Sequence, residues 1–140
     1  MKVTNSLKLN IYIHQSCEKI WDVLTKEELF CDCFKFLKIK CNNWQIGGKI
    51  TFKSQNSNII DFAIITELQT FKKLAYKYHK MNSNDFQLIV FDIYSIENNY
   101  SKICITGKNF RDKDEYNHSK TAWNLMLETL KIYLETDKKL

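Results

Sequence analysis

Residues 42–52 read NNWQIGGKITF. The chain has 140 residues, three glycines and no proline, yet two of those glycines, Gly47 and Gly48, stand side by side here. They separate Trp44 from an alternating run in which Ile50 and Phe52 share one face. A phosphate-binding loop is one reading, and it fails on pattern. G-x-x-x-x-G-K-[ST] is absent, Ile50 follows Lys49, and no G-x-G-x-x-G opens a helix. The other reading is a bulge or sharp strand bend, at a place that cannot accommodate a Cβ. The pair then begins and bends a strand in a sheet that encloses something, with Ile50 and Phe52 facing inward.

The flanking sequence supplies the rest of that sheet. Leu7, Leu9, Ile11 and Ile13 alternate with Lys8, Asn10 and Tyr12, a half-buried strand with one apolar face. In LAYKYH, Leu74, Tyr76 and Tyr78 share a side, and SKICITG places Ile103 and Ile105 together. IIDFAIITEL and DFQLIVFDIYSI are so continuously apolar that their inward parity stays open. Polar clusters at 54–58, 81–85 and 97–101 read as turns, so these runs predict five or six sequential antiparallel strands. Two helical segments interrupt the pattern after the first strand. Ser16 is the expected N-cap of one, with Cys17, Ile20, Trp21 and Leu24 at helical spacing. Thr25 and Glu28 form a T-x-x-E capping box for the next, with Leu29, Phe30, Cys33 and Phe34 as its buried stripe. The closing segment, residues 118–139, has Trp123, Met126, Leu127, Leu130 and Leu134 on one face. It predicts one helix of roughly 25 Å, with Lys138 and Lys139 at its negative pole. The fold class is α+β, a curved antiparallel sheet closed by the C-terminal helix, and 1–140 reads as one domain.

Composition excludes several functions. The net charge of +5 comes mainly from spread lysines, with Arg111 the single arginine, so a nucleic-acid reader is not expected. No stretch approaches the ~18 apolar residues of a membrane span, and the N-terminus has no signal-like apolar block. Five cysteines in no disulfide framework fit a reducing, cytoplasmic location. Cys31, Cys33, Cys41 and His79 match no common zinc spacing, and helical Cys31 and Cys33 would point about 200° apart. No cysteine–histidine pair carries a nucleophile signature. Metal, cofactor and catalytic residues are therefore assigned as none. Asp61 and Asp92 interrupt apolar strands and are read as facing solvent, the alternative being inward acids or bases.

Four ordered landmarks carry a resemblance: EKIWDVLTKEEL at 18–29, WQIGGKITF at 44–52, AIITELQTFKKLAYKY at 63–78 and TAWNLMLETLKIYLE at 121–135. Together they resemble the START-like (SRPBCC) superfamily with its helix-grip fold, and within it the homologues of the activator of the heat-shock-protein-90 ATPase. The chain departs from that family in lacking a proline before the first helix and near Gln69, and a tryptophan near Cys33 and Phe34. The resemblance implies a cavity between sheet and C-terminal helix that takes a small hydrophobic or lipid-like molecule. Trp21, Phe34, Phe52, Tyr76, Tyr78, Trp123, Met126 and Leu127 are its candidate lining residues. It also implies two alternatives. One is an interaction domain with a chaperone partner and a filled interior. The other is a cyclase- or hydrolase-like enzyme using the same cavity. A non-enzymatic role is favoured.

Overall fold

A computed structural model of the chain describes residues 6–54, 60–80 and 85–136. Its elements run β1 (Leu7–Ile13), α1 (Cys17–Thr25), α2 (Glu27–Cys33), β2 (Leu37–Cys41), β3 (Lys49–Ser54), β4 (Ile60–Gln69), β5 (Lys73–His79), β6 (Phe86–Glu97), β7 (Tyr100–Lys108) and α3 (Lys113–Thr136). The strands form one curved antiparallel sheet in the order β1-β7-β6-β5-β4-β3-β2. Apart from β1, this is a meander in which each strand pairs with the next. β1 and β2 lie on opposite edges, so the short helices α1 and α2 carry the chain from one edge to the other. Of the three expected turn clusters, the one at 97–101 joins β6 to β7, while those at 54–58 and 81–85 lie mostly outside the described residues.

The double glycine works as a strand start. Gly47 adopts a left-handed φ of 90°. A Cβ on Gly48 would sit 1.7 Å from the Asn43 carbonyl oxygen, a space no side chain can share. Gly47 N–H donates to Ile65 O (2.8 Å) and Ile65 N–H to Gly48 O (2.9 Å). The turn therefore extends the β3–β4 ladder up to the bulge between Ile65 and Glu67. The bend and the bulge meet, and together they increase the local twist of the sheet. Ile50 and Phe52 face the interior, as their alternation implies.

Register settles the two strands whose parity stayed open. Ala63 and Ile65 point inward on β4, and Gln87, Ile89, Phe91 and Ile93 on β6. Asp92 lies on the outer face as expected. Asp61 does not: it stands opposite Phe52, on the same face as Ala63, and points inward at the end of the sheet.

Capping differs from expectation at two helices. Ser16 caps α1, accepting from Lys19 N–H (3.2 Å). The Thr25–Glu28 box does not form, because Thr25 Oγ1 instead donates back to Trp21 O (2.8 Å) and Lys26 is the N-cap of α2. A reciprocal cap stands at the start of α3. Asp112 Oδ1 accepts from Glu115 N–H (2.8 Å), and Glu115 Oε1 accepts from Arg111 N–H (2.7 Å). This cap starts α3 at Lys113, ahead of the 118 read from its apolar stripe, giving 24 residues and about 36 Å. Lys138 and Lys139 lie outside the described residues.

Leu127, Leu130 and Leu134 bury one face of α3 against the sheet. Its last turns are also tied by polar contacts. Lys131 Nζ donates to Tyr12 O (2.7 Å), Gln15 Nε2 to Leu134 O (3.0 Å) and His14 N–H to Glu135 Oε2 (2.8 Å). On the other side, Tyr133 Oη donates to Asp32 Oδ2 (2.8 Å), linking α3 to α2. Below these ties Ile13 and Ile20 are wholly excluded from solvent.

Candidate functional site

Toward the other end of α3 the interior is not filled. A cavity of about 250 Å³ lies between the concave face of the sheet and the middle of the helix. The sheet supplies its floor through Ile50, Phe52, Leu74, Phe91, Ile103 and Ile105, and α2 and β2 supply Phe30, Phe34 and Ile39. The roof is Ser119, Ala122, Trp123, Met126, Leu127 and Leu130 of α3. Half-buried Asp61 and exposed Lys80 and His118 mark the end that faces solvent.

One wall is aromatic. Phe52 sits 5.3 Å from Tyr78 and 6.0 Å from Tyr76, centroid to centroid. Tyr76 continues to Phe91 at 5.8 Å, and Phe91 meets Trp123 of α3 edge-on at 5.5 Å. Such tilted and edge-on pairs match the quadrupoles of the rings and hold their positions. This is a rigid wall, which the alternation of LAYKYH and KITF places on one face.

The cavity has polar points on an apolar lining. Tyr78 Oη donates a 2.6 Å hydrogen bond to Asp61 Oδ2. Burial, and then this bond to a carboxylate, push the Tyr78 phenol well above its ordinary range. Burial alone does the same to Tyr76. Both phenols therefore stay neutral across the physiological range. Gln87, next to Tyr78 across the β5–β6 ladder, brings a carboxamide into the same space.

Seven of the eight residues singled out in the sequence line this cavity: Phe34, Phe52, Tyr76, Tyr78, Trp123, Met126 and Leu127. Trp21 does not. It is buried under α1 and meets Phe71 edge-on at 6.5 Å, so it packs the filled part of the core. Helical spacing told that Trp21 faces inward, but not toward which end of the interior. Gln87 and Ser119 were missed, and Asp61, read as facing solvent, takes the inward alternative instead. Alternation from Phe91 backward would have placed Gln87 inward. Ser119 lies one helical turn before Trp123, on the same face.

Cys33 is a buried core residue whose thiol burial raises to about 12, which keeps it protonated and unreactive. Among the described residues no group of three His, Cys, Asp or Glu side chains is placed to hold a metal ion. No described helix is long and apolar enough to cross a membrane.

Comparison with known families agrees with this geometry. The family described as "Activator of Hsp90 ATPase homolog 1-like protein" matches residues 14–135, from the end of β1 almost to the end of α3. The chain belongs to this family. Its helix-grip fold is that of the START-like (SRPBCC) superfamily. The solution structure of the Aha1 dimer from Colwellia psychrerythraea is similar, with a TM-score of 0.79 at 22% identity over 96% of this chain and 99% of that one. An HSP90 activator from Plasmodium falciparum gives a TM-score of 0.77 at 16% identity, covering 93% of this chain and 96% of that one. A protein from Cytophaga hutchinsonii gives 0.78 at 20%, covering 96% and 97%. At these identities the likeness speaks for the fold. No curated protein matches the sequence.

Proposed function

We propose that residues 1–140 act as one START-like domain that holds a small hydrophobic or lipid-like molecule between the sheet and α3. One observation carries this reading: an apolar, aromatic-walled cavity of about 250 Å³ that opens to solvent at one end. Interiors are normally packed to crystal density, so a void of this size forfeits stability unless something occupies it. A preformed concave site with a few polar points is the usual form of a small-molecule site. Phe34, Phe52, Tyr76, Tyr78, Trp123, Met126 and Leu127 would contact the occupant, chiefly by burying its apolar surface. The free cysteines among the described residues suit a reducing cytoplasm, the location we assign.

Native mass spectrometry of the protein purified from its own host tests this. A retained non-covalent mass of small-molecule size is expected. The bare protein mass, together with no thermal shift across a panel of hydrophobic compounds, would overturn it.

The family description and the Plasmodium relative favour a second reading, in which the domain works on a chaperone ATPase. Leu125 and Ile132, seven residues apart on the outer face of α3, are both well exposed and would offer the apolar contact. Under that reading the chain raises ATP turnover of an Hsp90-type chaperone, and charging both positions (Leu125→Glu, Ile132→Glu) abolishes the effect. Unchanged turnover with the native chain would remove it.

A further inference from the structure

The polar groups inside the cavity specify more than a hydrophobic guest. Tyr76 is 4% exposed, Gln87 7% and Ser119 6%, and all three line the cavity. Among the described residues, no side chain or backbone group serves as hydrogen-bond partner to the Tyr76 hydroxyl, the Gln87 carboxamide or the Ser119 hydroxyl. Neighbouring Tyr78, in contrast, is satisfied by Asp61. An unpaired buried polar group costs about 1–3 kcal/mol, and natural interiors seldom keep even one. Here three surround one space. Tyr76 and Gln87 are diagonal neighbours on β5 and β6, since Tyr78 pairs with Gln87 and Tyr76 with Ile89. Ser119 faces them from α3 across the gap. Between them they offer donors and acceptors on both sides of an otherwise apolar chamber.

Size and charge narrow the guest further. A cavity of about 150 Å³ accommodates benzene. By that measure this chamber of about 250 Å³ holds on the order of ten non-hydrogen atoms, fewer than a long acyl chain carries. The charged lining groups, Asp61, Lys80 and His118, stand at the solvent-facing end. A buried ionic head would therefore lack a partner deeper in.

The geometry points to a compact, neutral, ring-sized molecule carrying at least two hydrogen-bonding groups, bound by Tyr76, Gln87 and Ser119, rather than to an acyl-chain lipid. This rests on the cavity's being a ligand site and names the class of ligand it takes. The probes are dihydroxynaphthalene, naphthalene and palmitate, titrated into the protein by calorimetry or tryptophan fluorescence. Dihydroxynaphthalene should bind about tenfold or more tighter than naphthalene. Tyr76→Phe and Gln87→Leu should each erase most of that difference while leaving naphthalene affinity unchanged. Both variants should fold, because each removes an unpaired polar group, and thermal denaturation checks this. Equal affinity for the two naphthalenes would mean that the polar groups serve only water, which overturns the ligand class but leaves the cavity reading intact. Tightest binding by palmitate would do the same. Binding of none of the three would overturn both.

Discussion

Between Leu130 and Glu135, α3 is tied to β1 and α2 by hydrogen bonds from Gln15, His14, Lys131 and Tyr133, over an interior with almost no exposed atoms. Between Ser119 and Met126 the same helix spans a chamber, reaching the sheet through the edge-on contact of Trp123 with Phe91. One end of the interior is packed and pinned, and the other is roomy and carries unsatisfied polar groups. Phe110, wholly buried, and Asn109, whose Nδ2 donates to Phe86 O (2.7 Å), let the second arrangement stand, because they hold the chain entering α3 to the sheet beyond the chamber. A helix held at both ends can bridge a void that a free end would collapse into.

The largest effect should come from Gly48→Val, since the added atoms collide with the Asn43 carbonyl and destroy the strand start that shapes both ends. Loss of folded protein is expected, a cost beyond about 4 kcal/mol. Gly47→Ala should cost only about 1–2 kcal/mol, because space is open there and just the left-handed φ is penalised. A stable, well-folded Gly48→Val that lost only binding would show that the pair serves the ligand rather than the fold.

Next in size is Ile20→Ala, in the packed end. It should lower stability by about 2–5 kcal/mol in chemical denaturation, with no change in probe affinity. A matching loss of affinity would mean that the two ends are one continuous site.

Ser119→Leu reverses that outcome. It fills the chamber from the roof, so stability should rise by about 0.5–2 kcal/mol while probe binding disappears. A fall in stability would mean that the chamber is already tightly packed.

The smallest effect concerns pH. Glu135 accepts from His14 N–H first of all, and also from Lys131, which holds its carboxyl below its ordinary value of 4.5. Because the folded value is the lower one, the stabilisation is complete above about pH 4.5 and is lost as the pH falls through the folded value. Glu135→Gln should flatten the stability profile in that acid range and leave binding at neutral pH unaltered. An unchanged acid limb would show that these ties add nothing to the pinned end.

Which face each element buries was largely legible in the sequence. Clean alternation in LKLNIYI and LAYKYH, helical spacing from Cys17 to Leu24, and the leucine stripe of α3 each state which face is buried. The double glycine added where the sheet bends. The chamber was legible only in outline, as a consequence of the family resemblance. Periodicity says that a side chain points inward, but whether it meets a neighbour or empty space depends on register. That is why Trp21 was placed in the cavity and Asp61 in solvent. Both assignments turn on which residues stand opposite, and in the apolar run of β4 no alternation showed it. The Thr25–Glu28 motif misled for a related reason. A threonine at a helix end can return its hydroxyl to the preceding turn as readily as cap the next helix.

A guest beneath the middle of α3 would be read out by backbone amide chemical shifts during a dihydroxynaphthalene titration. The largest changes should fall on Tyr76, Gln87, Ser119 and Trp123, while Ile13, Ile20 and Leu134 stay still. Saturable shifts confined to the outer surface around Phe71 and Tyr94, with the chamber residues unmoved, would place the guest outside the chamber and overturn this site.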